Sequence, residues 1–206
     1  MHNKILIIIS SPSGGGKSTM CKKLISDMTS PIFNKCEFSV SATTRLPRVG
    51  EVEGKDYFFL SQEQFEAKKQ GNEFLEHANV FGNSYGTLTN QISKTKHTIF
   101  DIDVQGHSQI RQKSSALSIF LLPPSLDILR ERIKKRADLT KQDEERRLVE
   151  ATKEMEQSRN YDFLLINEDI EKTFQAICGI ISSAILKNSD QNFGKINNFT
   201  NFLESL

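Results

Sequence analysis

A glycine-rich turn directly after a short apolar run constrains this chain more than any other feature. The run covers residues 5–10, and the turn, Ser11-Pro12-Ser13-Gly14-Gly15-Gly16-Lys17-Ser18, ends in Lys-Ser. This layout is typical of a phosphate-binding loop between a buried parallel strand and a helix, because glycines let backbone N–H groups point at phosphate oxygens. Lys17 would reach the β- and γ-phosphates, and the Ser18 hydroxyl would ligate Mg²⁺. An ordinary Gly-Ser turn with a chance lysine is the alternative.

Composition sets the broad class of protein. The 206 residues suit one α/β domain with small insertions and a sizeable core. The net charge of +1 favours neither nucleic acid nor a membrane surface as a partner. The three cysteines, Cys21, Cys36 and Cys178, have no metal-ligand spacing. With no apolar run of signal-peptide or membrane-span length, we expect a cytoplasmic protein.

Buried apolar runs alternate with helical patterns along most of the chain, which predicts a doubly wound parallel sheet. The predicted strands are residues 4–9, 98–103, 118–122 and 163–167. Helices are predicted over residues 17–28 and 170–186, and a short one over 61–70.

The stretch from 37 to 89 has a different sequence pattern, with short strand-like segments at 38–41, 57–60, 73–77 and 85–87, of which the first alternates apolar and polar residues. These segments, with a turn at 81–84, predict a small mixed sheet inserted into the main fold. The long polar connection over 43–51 is a candidate ligand-binding loop.

Residues 126–158 are rich in charged side chains. A solvated helical hairpin is the ordinary interpretation of such a stretch, and a mobile lid over a phosphate site would have the same composition. A helical stripe is predicted at Leu126, Leu129 and Ile133. Residues 188–206 are rich in asparagine, and we expect a frayed tail there.

Two acids end the predicted strand at 98–103. Asp101 would lie at the carboxyl edge of the sheet beside the loop, where it could hold Mg²⁺ directly or through water. Asp103 would share its face if the strand continues. The alternative is that these acids cap the next helix.

Arginines form two clusters in the sequence. Arg45 and Arg48 lie in the long polar connection, and five more lie in the charged stretch: Arg130, Arg132, Arg136, Arg146 and Arg147. The planar guanidinium can grip two phosphate oxygens at once. One cluster can therefore serve an acceptor phosphate and the other a donor, as phosphoryl transfer requires.

Segments spread over residues 4–186 together resemble the guanylate kinase family. The most specific segment is 39–51 followed by 54–59, which is similar to the family's GMP-binding signature, and further similar segments are 72–76, 85–87, 101–106 and 165–169. The resemblance implies a P-loop kinase, a three-layer sandwich with a parallel core sheet. It implies core segments 4–36, 90–125 and 159–186, a GMP-binding insertion 37–89, a helical lid 126–158 and a tail 187–206.

The implied activity is Mg²⁺-dependent transfer of the ATP γ-phosphate to GMP, giving ADP and GDP, in purine nucleotide metabolism and GMP recycling. The resemblance implies catalytic roles for Lys17, Arg48, Arg136 and Arg147. It implies ATP contacts by Ser11, Pro12, Ser13, Gly14, Gly15, Gly16, Lys17, Ser18, Thr19, Arg132 and Asn167. It implies GMP contacts by Ser41, Arg45, Arg48, Tyr57, Glu76, Tyr85, Gly86, Thr87 and Asp103. Ser18 and Asp101 would hold the metal.

Physical chemistry agrees with the implied role of Glu76. A carboxylate can accept hydrogen bonds from guanine N1–H and the 2-amino group, whereas adenine offers no matching donors and would leave the carboxylate unpaired. The sequence departs from the family pattern at three places. Ser11 replaces the first loop glycine, Ala42 stands where many relatives have serine, and 134–138 lacks the glycines that usually flank the lid arginine. Without the first glycine, the loop must form without a positive φ at Ser11.

Two other functions compete with GMP phosphorylation. Guanylate-kinase-like scaffolds recognise partner proteins but typically have a degraded phosphate loop, whereas Lys17 and Ser18 are intact here. A kinase acting on a ribosyl phosphate should lack the base-reading set, which is Ser41, Glu76, Thr87 and Asp103. Monomer and homodimer both stay open, as does acceptance of dGMP.

Overall fold

A computed structural model describes residues 4–27, 33–135 and 140–189. Its strands are β1 (Leu6–Ser10), β2 (Cys36–Phe38), β3 (Ala42–Thr43), β4 (Phe58–Phe59), β5 (Phe74–Val80), β6 (Asn83–Leu88), β7 (His97–Asp101), β8 (Leu117–Leu122) and β9 (Phe163–Ile166). Its helices are α1 (Lys17–Ser26), α2 (Gln62–Gln70), α3 (Val104–Lys113), α4 (Leu126–Lys134), α5 (Lys141–Glu156) and α6 (Ile170–Ser189). Short 3₁₀ turns lie at Phe33–Lys35, Thr89–Gln91 and Gln157–Asn160.

The core is a parallel sheet of five strands in the order β2-β7-β1-β8-β9. Strand β1 lies at its centre, and Ile7, Ile8 and Ile9 have no exposed surface. Strands buried on both faces are typical of parallel sheets covered by helices. The register places Ile9 beside Asp101, so the loop after β1 and the acid at the end of β7 meet at one edge.

Helices cover both faces of this sheet. On one face, α1 and α6 contribute Leu24, Phe174 and Ile181 to a cluster that includes Ile7 and Ile9. On the other face, Ile110 of α3 packs with Ile8, Phe100 and Phe120. The predicted three-layer α/β sandwich with a parallel core sheet is confirmed.

The second sheet has four strands in the order β4-β3-β6-β5. Strand β3 pairs in parallel with β4, and the pairings of β3 with β6 and of β5 with β6 are antiparallel. The sheet is therefore mixed, as predicted. Helix α2 begins with a capping box between Ser61 and Gln64, and Phe65 stacks on Phe74 with ring centroids 4.4 Å apart.

Some predicted strand bounds are wrong. The strand predicted over 38–41 is replaced by β2, which pairs with β7 in the core sheet, and by β3 in the second sheet. Phe38 packs against the core cluster, and this long-range burial outweighs the local alternation. Strands β5 and β6 extend beyond 73–77 and 85–87, so the turn predicted over 81–84 is reduced to residues 81 and 82. Strand β7 ends at Asp101.

Helices α4 and α5 pack together through Leu129, Ile133 and Ala151, as a helical hairpin should. Leu126, predicted to share a helical stripe with Leu129 and Ile133, is 54% exposed, whereas the other two are buried. Residues 136–139, and with them Arg136 and most of the glycine-poor segment, lie outside the described residues, as does the tail from residue 190. Among the described helices, none has the length and apolar composition needed to cross a membrane.

Candidate active site

A cavity of about 860 Å³ opens at the carboxyl edge of the core sheet, bounded by the second sheet and by α5. It collects residues from distant parts of the sequence. The predicted site residues that line it are Ser11, Pro12, Ser13, Gly14, Gly16, Lys17, Ser18, Thr19, Ser41, Arg45, Arg48, Tyr57, Glu76, Tyr85, Gly86, Asp101, Asp103, Arg132, Arg147 and Asn167. Gly15 and Thr87 are buried behind its wall. The structure does not describe Arg136.

The loop between β1 and α1 has the backbone geometry of an anion nest. Gly14 and Gly16 have φ of 87° and 95°, values that a residue with a Cβ rarely adopts. Ser11 is not among the described residues with positive φ, so the loop forms without a glycine at its entry. The Gly15 N–H donates to Pro12 O over 2.8 Å, which closes the turn.

Lys17 is held in place by the end of β7. Its Nζ lies 2.5 Å from Asp101 Oδ1 and donates to Ile102 O over 3.0 Å. Desolvation would lower the pKa of Lys17, but the Asp101 carboxylate overcomes it and raises that pKa well above its ordinary value. Lys17 is therefore a fixed cation at the loop.

The Ser18 hydroxyl and the Asp101 carboxylate supply oxygen donors at this edge. Oxygen donors of this kind fit Mg²⁺, which takes one or two protein ligands and completes its shell with water and substrate phosphates.

Arg132 and Arg147 line the cavity with unused hydrogen-bonding capacity. Arg132 Nη1 and Arg147 Nε are buried, and neither has a hydrogen-bond partner among the described residues. Buried polar groups are normally paired, and an unpaired guanidinium nitrogen at a cavity wall indicates an anionic ligand. Burial and then the neighbouring Arg146 lower the pKa of Arg147, which a bound anion would offset.

Two further side chains touch the loop directly. Asn167 is 7% exposed, and its Nδ2 donates to Gly15 O over 2.9 Å, so it ties the end of β9 to the loop. On the other side, the Ser13 N–H donates to Glu154 Oε2 of α5 over 3.0 Å. Burial raises the pKa of Glu154 to about 7. A carboxylate from α5 thus occupies a backbone donor of the anion nest.

Glu76 is a buried carboxylic acid on the side of the cavity that the second sheet forms. It is 3% exposed, and Thr87 Oγ1 donates to its Oε1 over 2.7 Å. Burial raises the pKa of Glu76 to about 7 despite that hydrogen bond. A Cβ on Gly106 would lie 2.5 Å from Glu76 Oε2, so the missing side chain leaves room for the carboxylate against the first turn of α3.

Asp103 caps helix α3, which was the alternative role for this acid, and it also lines the cavity. Its Oδ1 accepts a hydrogen bond from Gly106 N over 2.9 Å at the start of α3. The strand ends before it, so the face shared with Asp101 does not form as predicted. The cap fixes Asp103 beside Glu76, where the two carboxyl groups repel and help to raise the pKa of Glu76.

The long polar connection carries a braced arginine. Arg45 Nη2 lies 2.8 Å from Glu51 Oε1, and its guanidinium lies 5.4 Å from the ring centroid of Tyr57. The Tyr57 and Tyr85 rings meet edge to face at 6.0 Å. Arg48 is exposed, with its backbone N–H bound to Glu51.

Ala42, one of the departures from the family pattern, is fully buried among apolar side chains. This surrounding suits the methyl group of alanine.

Sequence reasoning missed several cavity residues, chiefly Phe81 and Glu154. A phenylalanine in a predicted turn and a glutamate in a highly charged helix carry no distinguishing signal. Asp143 and Glu168 also line the wall.

A phosphate-binding loop with a fixed lysine, an acid on the adjacent strand and unpaired arginines define a P-loop phosphotransferase. A family model described as guanylate kinase matches residues 3–184. The guanylate kinase of Clostridium tetani is 40% identical over 188 residues, which cover 89% of this chain and 88% of that protein. The guanylate kinase of Ruegeria pomeroyi is 41% identical over 194 residues, covering 91% and 89%.

The fold gives the same assignment. A crystal structure of guanylate kinase from Anaplasma phagocytophilum matches with a TM-score of 0.74 and 32% identity, covering 100% of this chain and 96% of that one. The chain belongs to the guanylate kinase family.

Proposed function

We infer that this chain is a nucleoside monophosphate kinase that transfers the γ-phosphate of ATP to GMP, giving ADP and GDP. One observation carries the proposal: a single cavity contains both an anion nest and the buried carboxyl group of Glu76, and two arginine nitrogens at its walls have no hydrogen-bond partner among the described residues. A site that binds two phosphate-bearing substrates and distinguishes a base needs these three parts.

On the donor side, the nest over 11–18, together with Thr19, would hold the ATP phosphates through backbone N–H groups and Lys17. Lys17 is already fixed by Asp101, so little reorganisation is needed when charge develops. Arg132 Nη1 would gain its missing acceptor from a phosphate oxygen. Asn167 would steady the nest through Gly15 and lie near the adenine.

On the acceptor side, Glu76 would accept hydrogen bonds from guanine N1–H and the 2-amino group. Thr87 donates to one carboxylate oxygen and so orients the group. Ser41 and Asp103 would complete the base contacts. The GMP phosphate would lie against Arg45, Arg48, Tyr57 and Tyr85, beside Gly86.

In the reaction, a GMP phosphate oxygen attacks the γ-phosphorus in line, and the bond to the ADP oxygen breaks with its electron pair leaving on ADP. Negative charge spreads over the transferring group, and Lys17, Arg48 and Arg147 would stabilise it. Arg136 completes the proposed set. Closing the cavity would exclude water, which would otherwise consume ATP by hydrolysis.

Magnesium is part of the proposal, with Ser18 and Asp101 as the protein's oxygen donors. The ion would neutralise negative charge on the bound phosphates and so assist the transfer of the γ-phosphate. Among the described residues no cluster of three or more His, Cys, Asp or Glu side chains is suited to a metal, and an ion held mainly by nucleotide phosphates does not need one.

We further propose the division into core segments 4–36, 90–125 and 159–186, a GMP-binding insertion 37–89, a lid 126–158 and a tail 187–206. Strand β2 pairs with β7 in the core sheet and ends at Phe38, which moves the boundary between the core and the insertion from residue 36 to residue 38. A cytoplasmic location fits the three widely spaced cysteines, of which Cys21 is buried as a free thiol.

A nucleotide panel tests the proposed function. Purified protein with ATP and Mg²⁺ is given GMP, dGMP, AMP or a ribose bisphosphate, and ADP and each phosphorylated acceptor are quantified. GMP should exceed AMP in kcat/KM by at least about a hundredfold, because AMP leaves the Glu76 carboxylate unpaired. Equal use of AMP and GMP would contradict the base assignment, and preference for the ribose bisphosphate would replace the proposal.

A further inference from the structure

The hairpin between β5 and β6 turns through an unusual residue. Val80 pairs with Asn83, so Phe81 and Gly82 alone form the turn, with φ of 50° and 82°. A two-residue turn with positive φ at both positions is type I′, which favours Asn-Gly. A bulky aromatic residue in this region is strained, and strain of this kind often marks a functional position.

The ring of Phe81 faces two lid arginines. The guanidinium carbon of Arg147 lies 4.3 Å from the ring centroid, and that of Arg146 lies 5.2 Å from it. Both distances are within cation–π range. The contact joins α5 to the tip of the second sheet across the mouth of the cavity, and Phe81 itself lines that cavity.

Arg147 lies half-buried among like charges. Its Nε is buried without a hydrogen-bond partner in the described structure, and Arg146 and Arg48 add like charge near it. Asp143 is the nearby opposite charge that offsets them. The negative face of an aromatic ring attracts a guanidinium without neutralising it or using its donors, which leaves them for a phosphate.

We propose that Phe81 is a positioning residue for phosphoryl transfer: its ring holds Arg147 at the acceptor side of the cavity before the substrates meet. On this proposal the strained turn is retained because a side chain at the tip of the hairpin can contact α5. The inference rests on the proposed role of Arg147.

The variant Phe81→Asn separates positioning from mere packing. It creates the Asn-Gly pair that a type I′ turn favours, so thermal stability should be equal or higher. The kcat should fall about five- to thirtyfold, the range of a partly desolvated cation–π contact, while the KM for ATP changes by less than about twofold. A wild-type kcat in Phe81→Asn would overturn the proposal.

Two matched variants define the expected pattern. Phe81→Tyr keeps an aromatic face and should retain most of the wild-type kcat. Asn79→Ala removes the acceptor of the Gly82 N–H, a 3.2 Å bond within the same hairpin, without touching either arginine. It should lower the melting temperature and leave kcat unchanged. If Asn79→Ala lowers kcat as much as Phe81→Asn, hairpin integrity is the cause and the proposal is wrong.

A double-mutant cycle with Arg147→Ala closes the test. If Phe81 acts through Arg147, Phe81→Asn should have no further effect on kcat in the Arg147→Ala background. An equal further loss there would overturn the inference. A wild-type kcat in Arg147→Ala would show that the proposed role of Arg147 is wrong. A lowered kcat in Arg147→Ala together with a wild-type kcat in Phe81→Asn would show that only the proposed role of Phe81 is wrong.

Discussion

The two sides of the cavity are built differently. On the proposed donor side, consecutive residues 11–18 form the anion nest mainly from backbone groups, with left-handed φ at Gly14 and Gly16. On the proposed acceptor side, Glu76, Thr87 and Gly106 come from separate elements and fit by side-chain packing. A backbone nest tolerates a changed side chain such as Ser11. A buried carboxylate depends on each neighbour that pairs or accommodates it.

The largest expected effect tests whether the donor side acts independently. Lys17→Ala should lower kcat about a thousandfold, because it removes a cation preorganised at the transferring phosphate. GMP affinity, measured by calorimetry without ATP, should change by less than about threefold. Lys23→Ala, on the same helix and paired with Glu171, is the matched control and should keep the wild-type kcat. A parallel loss of GMP affinity in Lys17→Ala would show that the two sides are coupled.

The next effect tests the acceptor side. Glu76→Gln should lower kcat/KM for GMP about a hundredfold, because the amide presents a donor where guanine also presents donors. Gly106→Ala should give a smaller loss in the same direction, since its methyl group would crowd Glu76 Oε2. Glu73→Gln, an exposed carboxylate paired with Lys68, should have no effect. Unchanged GMP kinetics in Glu76→Gln would refute guanine reading by this residue.

The pH dependence of GMP binding sharpens this assignment. The pKa of Glu76 is raised from 4.5 to about 7. The proposed hydrogen bonds from guanine need the ionised carboxylate as acceptor. GMP affinity should therefore fall about tenfold per pH unit below 7 in the wild type.

The free energy of unfolding without ligand should follow the opposite trend. The contribution of Glu76 to it should be present below pH 4.5 and be lost as pH rises through 7. Glu76→Gln should remove both trends, which separates them from titration of the GMP phosphate.

The smallest expected effect concerns Glu154, whose carboxylate accepts a hydrogen bond from a backbone N–H of the nest. Glu154→Gln should tighten ATP binding about three- to tenfold at pH 8, because it removes a negative charge beside the phosphates. The difference should shrink at pH 6, since the pKa of Glu154 is about 7 and the wild-type side chain is then mostly neutral. Glu156→Gln, two positions later on the same helix and exposed, is the control. Weaker ATP binding in Glu154→Gln would mean that this carboxylate supports the nest.

The donor side could be predicted from sequence because its geometry is local. Glycines, a preceding apolar run and Lys-Ser specify the loop, and the layers follow from alternating strands and helices. The acceptor side was predicted through family resemblance. Long-range pairing decided that β2 joins the core sheet, and local alternation does not contain that information. Phe81 was missed because turn rules disfavour a bulky residue at positive φ.

Helix α5 meets the hairpin through Arg147 and the nest through Glu154, seven positions apart. Seven residues make almost two helical turns, so both side chains lie on one face, separated by roughly 10 Å along the axis. The helix therefore fixes the distance between its contact with the hairpin and its contact with the nest. Adding one residue between these positions would rotate one contact by about 100° relative to the other. The length of this segment of α5, more than its composition, then sets whether both contacts can form together.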